Sequence, residues 1–302
     1  MTPEWSEYLL TQGARLADGQ VAEFGAAHEE VRAAHTGLVV ADLSHWGLIG
    51  LTGDDAMAFL HGQVTNAVQG MDPGQAVFAG YCSAKGRMLA NFLVMRQADG
   101  LLLMLPASLR AAIQKRLAMF VLRARVNLRD ASDEWVRLGL SGPGAPSLLN
   151  ETLGLQPGAD MLAIAQGPDA FALRLGTERF DLFLRPGIAV EIWQRLVTRA
   201  RPVGAPAWDS LLVRAGIPTV LPQTQDQYVP QMANMDALFG ISFNKGCYPG
   251  QEVVARSQYL GQVKRRLYLA HVGAEATPAP GDDLHTPALP GQSCGSVANV
   301  AP

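Results

Sequence analysis

The chain repeats itself. Residues 49–60 read IGLTGDDAMAFL and residues 138–149 read LGLSGPGAPSLL. Gly-Leu-Thr/Ser-Gly, an alanine three residues on and a closing apolar pair recur at an offset of 89. Each copy reads as a strand running into a helix. In the first copy Thr52 and Asp55 stand at capping-box spacing, which predicts that Thr52 caps the helix carrying Phe59 and Leu60. The parallel continues beyond each copy. Apolar runs at 76–82, 88–95 and 101–105 precede a predicted helix from Ala107 to about Leu122. Runs at 161–165, 170–175 and 180–184 precede one from about Ile188 to Ala200. Helix, three strands and helix, twice over, predict two related α+β units.

The flanks add smaller pieces. GLVVADLSHWGLIGLTG (37–53) reads as two strands joined near Leu43–His45. Proline-rich RPVGAPA (201–207) reads as a linker, and 208–217 as a short helix with Trp208, Leu211, Leu212 and Ala215 on one face. Residues 218–235, with three prolines and five Gln or Asn residues, read as an extended segment on the surface or between domains. A β-rich tail opens at Gln262, has turns at Pro280-Gly281 and Pro290-Gly291, and stops at SVANVAP, short of strands for a complete β-unit. The 302 residues suit two or three domains, and 31 glycines with 19 prolines suit short elements and many turns.

Charge narrows the function. A net charge of −3 argues against a nucleic-acid coat or a binder of anionic membranes. No run of apolar residues is long enough to span a bilayer. Met1–Leu10 carries Glu4 and Glu7 and no basic residue, unlike a secretory signal. Three well-separated cysteines, Cys82, Cys247 and Cys294, are no disulfide framework and suit a reducing cytoplasm. The Rossmann glycine pattern, the P-loop, CxxC, HExxH and the serine elbow are all missing.

One segment stands apart, Asn244-Lys245-Gly246-Cys247-Tyr248-Pro249-Gly250-Gln251-Glu252. Pro249 suits a first helical turn, so a helix is expected from here through Gln258, with Cys247 just before it. The helix N-terminus and Lys245 would both favour a thiolate at Cys247, below the usual ~8.5. Gly246 and Gly250 permit a tight path around it, and Glu252 suits the helix dipole. The competing reading is a buried structural cysteine in a glycine-rich loop.

Residues 213–268 closely resemble the signature region of the YgfZ-type folate-binding proteins. The resemblance is carried by Lys245, Gly246, Cys247, Tyr248, Gly250, Gln251, Glu252, Ala255 and Arg256. Pro230, Gln231 and Asn234, Arg-Ala-Gly-Ile-Pro at 214–218, and stretches 42–66 and 83–92 fit as well. That family is related to the glycine-cleavage T-protein, a tetrahydrofolate-dependent aminomethyltransferase. The resemblance implies two α+β units of the aminomethyltransferase folate-binding fold plus a small C-terminal β-barrel, around a central opening that holds a folate. It implies interleaved domains: 1–50 with 131–203, 51–130 with 204–260, and an incomplete barrel at 261–302.

The T-protein resemblance also marks a departure. The transferase carries an acidic pair where this chain has Ala90 and Asn91, within KGRMLAN (85–91). An amide cannot accept a proton as a carboxylate does, so general-base work is lost there. The pterin-holding Tyr-Thr-Gly-Glu stretch is degraded to Leu175-Gly176-Thr177-Glu178. The resemblance therefore implies a cytoplasmic, tetrahydrofolate-binding accessory protein for iron–sulfur enzymes, including radical enzymes that modify tRNA. Its expected partners are folate and iron–sulfur client or assembly proteins, with no direct nucleic acid and no membrane. Cys247 would be the working thiol, with a transient iron–sulfur cluster as a second expected cofactor and no resident metal site. Arg214, Tyr248, Arg256, Asn91 and Lys85 are the expected folate contacts, while Gln231 and Asn234 are expected to bond backbone. The alternatives are a true aminomethyl or methyl transferase and a folate sensor with no chemistry.

Overall fold

The computed structural model of the protein describes residues 1–261, 263–273 and 275–302. Helix α1 (Pro3–Thr11), hairpin β1 (Arg15–Ala17) and β2 (Gln20–Glu23), and α2 (Ala27–Thr36) lead into β3 (Val39–Asp42). The first repeat comes next: β4 (Trp46–Thr52), α3 (Ala56–His61), β5 (Ala76–Cys82), β6 (Met88–Gln97), β7 (Gly100–Pro106), α4 (Ala107–Ala118) and β8 (Asn127–Asp130). The second is β9 (Val136–Ser141), α5 (Ala145–Leu153), β10 (Ile164–Gln166), β11 (Ala170–Gly176), β12 (Arg179–Leu184), α6 (Pro186–Leu196) and β13 (Arg201–Val203). Then come α7 (Ala205–Arg214), α8 (Gln251–Tyr259), β14 (Asp283–His285) and β15 (Ser293–Ser296).

Two sheets carry the two repeats. One has the order β10-β11-β12-β9-β3-β13 and the other β5-β6-β7-β4-β8. The chain crosses between them twice. Residues 43–45 take it from β3 in the six-stranded sheet to β4 in the five-stranded one, and residues 131–135 bring it back from β8 to β9. The change of sheet thus falls before β4, which runs through residue 50.

The repeat is closest in backbone terms at its glycines. Gly53 and Gly142, 89 residues apart, have φ of 108° and 113°. A Cβ at Gly53 would stand 2.2 Å from the carbonyl oxygen of Arg125, two residues before β8. A Cβ at Gly142 would stand 1.9 Å from that of Gly37, two residues before β3. Only glycine fits either place. The coincidence also makes β3 the counterpart of β8, each pairing antiparallel with the first strand of a repeat.

Strand alternation builds two cores. Leu138, Leu140, Phe180, Leu182 and Leu184 face the helices on one side of the six-stranded sheet, where Trp5, Ile192 and Trp193 complete the packing. Phe171, Leu173 and Phe183 face the other way and join Trp208 and the five-stranded sheet in a second, larger core. Each fully buried side chain of this size contributes about 1.5–3 kcal/mol.

Several expectations are corrected. Thr52 ends β4 and caps nothing; α3 starts at Ala56, and the Asp55 carboxylate instead accepts the Arg125 N–H at 2.7 Å. The helix at 107 stops at Ala118, because the chain turns there and Leu122 takes φ 48°. RPVGAPA is no linker. Arg201–Val203 pairs parallel with β3 as an edge strand, which tolerates Pro202, and Pro206 sits in the first turn of α7. The described part of 261–302 forms the hairpin β14–β15 and no closed barrel; Gln262, where the expected tail opens, lies outside the described residues. No helix among the described residues is long and apolar enough to cross a membrane.

Candidate functional site

Between the sheets lies a narrow cleft with about 30 Å³ of free space. Trp46, Phe78 and Met104 line it from the five-stranded sheet, and Trp208 and Leu212 from α7. One carboxyl group breaks this apolar lining. Asp181 sits on β12 between Phe180 and Leu182, which point to the helices, so alternation turns it into the cleft. Its residue is 2% exposed and its Oδ1 has no hydrogen-bond partner among the described residues. Burial pushes its pKa up to about 7, against the opposing pull of Arg179 and His45. Arg179 spends its guanidinium on the carbonyl of Leu211 at 2.7 Å, and burial lowers its own pKa. His45, in the first crossover, places Nε2 3.1 Å from Asp209 of α7.

Of the expected site residues only Asn91 lines this cleft. Its carboxamide donates to the carbonyl of Pro218 and accepts from the N–H of Val220, both at 2.8 Å. It fastens the segment after α7 across β6. That segment continues along the strand: the Asp226 N–H donates to Met88, and the Met88 N–H to Tyr228, both at 2.8 Å.

The Lys-Gly-Cys-Tyr motif assembles elsewhere. Lys245 points its ammonium at the end of α3, donating to the carbonyls of His61, Val64 (2.6 Å) and Asn66 (3.2 Å). The Tyr248 ring centre lies 5.0 Å from it, and desolvation pulls its pKa down to about 8. No hydrogen bond joins Lys245 to Cys247. Cys247 is exposed, and α8 starts only at Gln251 after an N-cap at Gly250, so Pro249 precedes the first turn rather than filling it. Tyr248 is buried beside Cys82, whose thiol burial pushes up to about 12. Cys294 is exposed on β15.

Gly250 presses this motif onto the β5–β6 turn that carries Lys85. Its φ is 80°, and a Cβ there would lie 2.5 Å from the Cα of Gly86. Lys85 is exposed at that contact, and Gly246 has open space around it. Gln251 donates its N–H to the Tyr248 carbonyl, while Glu252 and Arg256 form an exposed ion pair at 2.8 Å. Gln231 and Asn234 bond backbone, at Val254 (2.7 Å) and Leu267 (2.9 Å). Arg214 is exposed at the last residue of α7. Among the described residues no three His, Cys, Asp or Glu side chains converge in a metal-holding group.

Asp181, His45, Asp209, Trp46 and Trp208 were not singled out as site residues from the sequence. Asp181 left one signal: a lone acid inside RFDLFL, out of step with the apolar residues on either side.

Interleaved twin units around a cleft define the class of fold. The chain superposes on the glycine cleavage system aminomethyltransferase T from Bartonella henselae with a TM-score of 0.73 at 22% identity, covering 86% of this chain and 75% of that one. The family model described as the GCVT N-terminal domain matches residues 7–245. Within that class, curated relatives are named tRNA-modifying protein YgfZ. The protein from Yersinia enterocolitica is 34% identical over 248 residues, 82% of this chain and 75% of its own. That from Sodalis glossinidius is 34% identical over 251 residues, 83% of this chain and 76% of its own. The chain belongs to the YgfZ family.

Proposed function

We propose that this protein is a folate-binding accessory factor of tRNA modification, acting on iron–sulfur enzymes, with folate in the central cleft and Cys247 as the working thiol. The observation that carries the folate reading is the partnerless Oδ1 of Asp181 in an aromatic-lined cleft. A pterin edge offers adjacent N–H donors, which a carboxylate accepts as a pair, and its flat ring suits Trp46, Phe78 and Trp208. Lys85, Tyr248 and Arg256 belong to the α8 assembly and leave the folate contacts. Arg214, two residues beyond Leu212 on α7, falls on a different face of that helix and acts on His35 of α2, so it too leaves the folate contacts. The Asn91 amide, committed on both its atoms, supports binding without the aminomethyl transfer of the related T-protein.

The second half of the reading rests on exposure. Cys82 is buried and exposed Cys294 donates its thiol to the Leu284 carbonyl at 3.2 Å, whereas Cys247 stands in solvent where a client enzyme or a transient cluster can reach it. Remaining cluster ligands would come from the partner. Calorimetry with tetrahydrofolate tests the cleft: Asp181→Asn weakens binding by about 10–100-fold, as loss of a charged acceptor does. Native affinity tightens as pH rises from 6 to 8, because the accepting form is the ionised one above a pKa of about 7. Unchanged affinity in Asp181→Asn removes the cleft. Cys247→Ala binds folate normally yet fails to restore iron–sulfur tRNA-modifying activity in a strain lacking the protein; full rescue removes the thiol.

A further inference from the structure

The two sheets differ by one strand. Beyond β3, the six-stranded sheet adds β13 in parallel, pairing Arg201–Val203 with Val39–Ala41. Beyond β8, the counterpart of β3, the five-stranded sheet adds nothing among the described residues. The opposite edge of that sheet is covered, since Thr65 donates its N–H to Gly80 of β5 and Val64 bridges Tyr81. The outer backbone of β8 is bonded by no strand among the described residues.

The sister unit shows what such a place accepts and how it is held. There the helix preceding β3 is acidic: Glu29 of α2 binds Arg201 at 3.0 Å, and Glu30 accepts the N–H of Gly204 at 2.8 Å. The helix preceding β8 has the opposite sign. From Gly100 to Arg129 the sequence contains six basic residues and no acid, within a chain of net charge −3. A groove runs between α4 and β8, floored by Ala111, Ala118 and Leu128 and walled by Arg110 and Lys115. Arg110 pairs with Asp130. Lys115 and Arg123 have no ion pair among the described residues and are exposed. Leu122 stands in the turn between α4 and β8, 88% exposed and with φ 48°. That backbone costs roughly 1–2 kcal/mol in a leucine, and it holds an apolar side chain in water.

We propose that the free edge of β8 is a docking site for an extended, acidic segment of a partner protein, which adds as a sixth strand in the place β13 occupies in the sister sheet. The backbone edge supplies the main-chain hydrogen bonds, Lys115 and Arg123 meet the acids, and the groove floor and Leu122 take alternate apolar side chains. The geometry of β13 makes the added strand parallel to β8. A nucleic acid offers no backbone N–H and C=O ladder to complete the edge. The proposal stands independently of folate binding.

The probe is a short fluorescein-labelled peptide alternating Glu and Val, titrated into the full-length protein. Saturable binding is expected, with slowed amide exchange at Asn127–Asp130. Replacing Glu by Lys in the peptide, or Lys115→Glu or Ala118→Glu in the protein, weakens it about tenfold or more. Both protein variants change exposed positions, and unchanged thermal unfolding verifies the fold. N-methylating alternate peptide amides abolishes binding, because strand addition needs those donors. Equal binding by the N-methylated peptide, protection away from β8, or no binding overturns the proposal. So does preferential binding of single-stranded RNA at Lys115 and Arg123, or a dimer of this chain joined at β8.

Discussion

The two units share one plan, and at one strand pair they differ in a way that bears on the proposed folate site. In the first sheet Asp181 lies opposite Gly139, and in the second Leu102 lies opposite Gly50. Gly50 and Gly139 are repeat partners, so Asp181 and Leu102 are partners too. Both are buried, at 2% and 3% exposure. Leucine is the choice that packing alone makes at such a site. A carboxyl group without a hydrogen-bond partner opposes stability, and it persists where a ligand supplies the missing donors. The duplication thus provides its own control: one copy of the position serves the core and the other faces the cleft.

The most severe way to break the comparison is at its shared hinge points. Gly142→Ala and Gly53→Ala each drive a Cβ into a carbonyl oxygen at a φ that disfavours any side chain. Each is expected to destabilise by about 3–5 kcal/mol in urea unfolding, and by similar amounts. If one variant is tolerated and the other is not, β3 and β8 are not equivalent.

The next test exchanges the partners. Asp181→Leu copies the sister unit; it should remove folate binding while raising stability at neutral pH by on the order of 1–3 kcal/mol. The sign comes from the carboxyl's pKa, about 7 in the folded chain against 3.8 as its ordinary value. The folded state holds the extra proton between these values, so stability falls as pH rises from about 4 to 7. That slope should vanish in Asp181→Leu. Leu102→Asp should destabilise by about 3 kcal/mol and create no folate site, because no cleft opens there. A flat native pH profile over this window would show that Asp181 is not held protonated.

How much of this was legible in the sequence depended on range. The repeat and most strands could be read because apolar periodicity is local: 76–82 and 170–175 need only their own neighbours. Asp181 was hidden because RFDLFL reads as an apolar strand, and only the second face of β12, opposite Trp208 of α7, gives the acid its meaning. RPVGAPA looked like a linker because its prolines are loop formers, and only β3, far back in the chain, makes it an edge strand. Lys245 was legible as a motif residue, but its partners, His61, Val64 and Asn66, lie far back in the chain at the end of α3 and just after it.

Those partners supply the mildest test, again at a difference between the units. The equivalent helices α5 and α3 end by different means. Gly154 closes α5 in a left-handed conformation and returns its N–H to Asn150 at 2.8 Å. Gly62 after α3 stays right-handed, and the ammonium of Lys245 collects the carbonyls at and after that helix end instead. Lys245→Met keeps the stem's packing and leaves those oxygens without a donor, so it should cost about 1–2 kcal/mol. The same variant decides what the motif lysine does for its cysteine. With the ammonium saturated by carbonyls, the rate of Cys247 alkylation against pH should be the same in Lys245→Met and in the native protein. A slower reaction at neutral pH would return Lys245 to the thiol, as its place two residues before Cys247 first suggested.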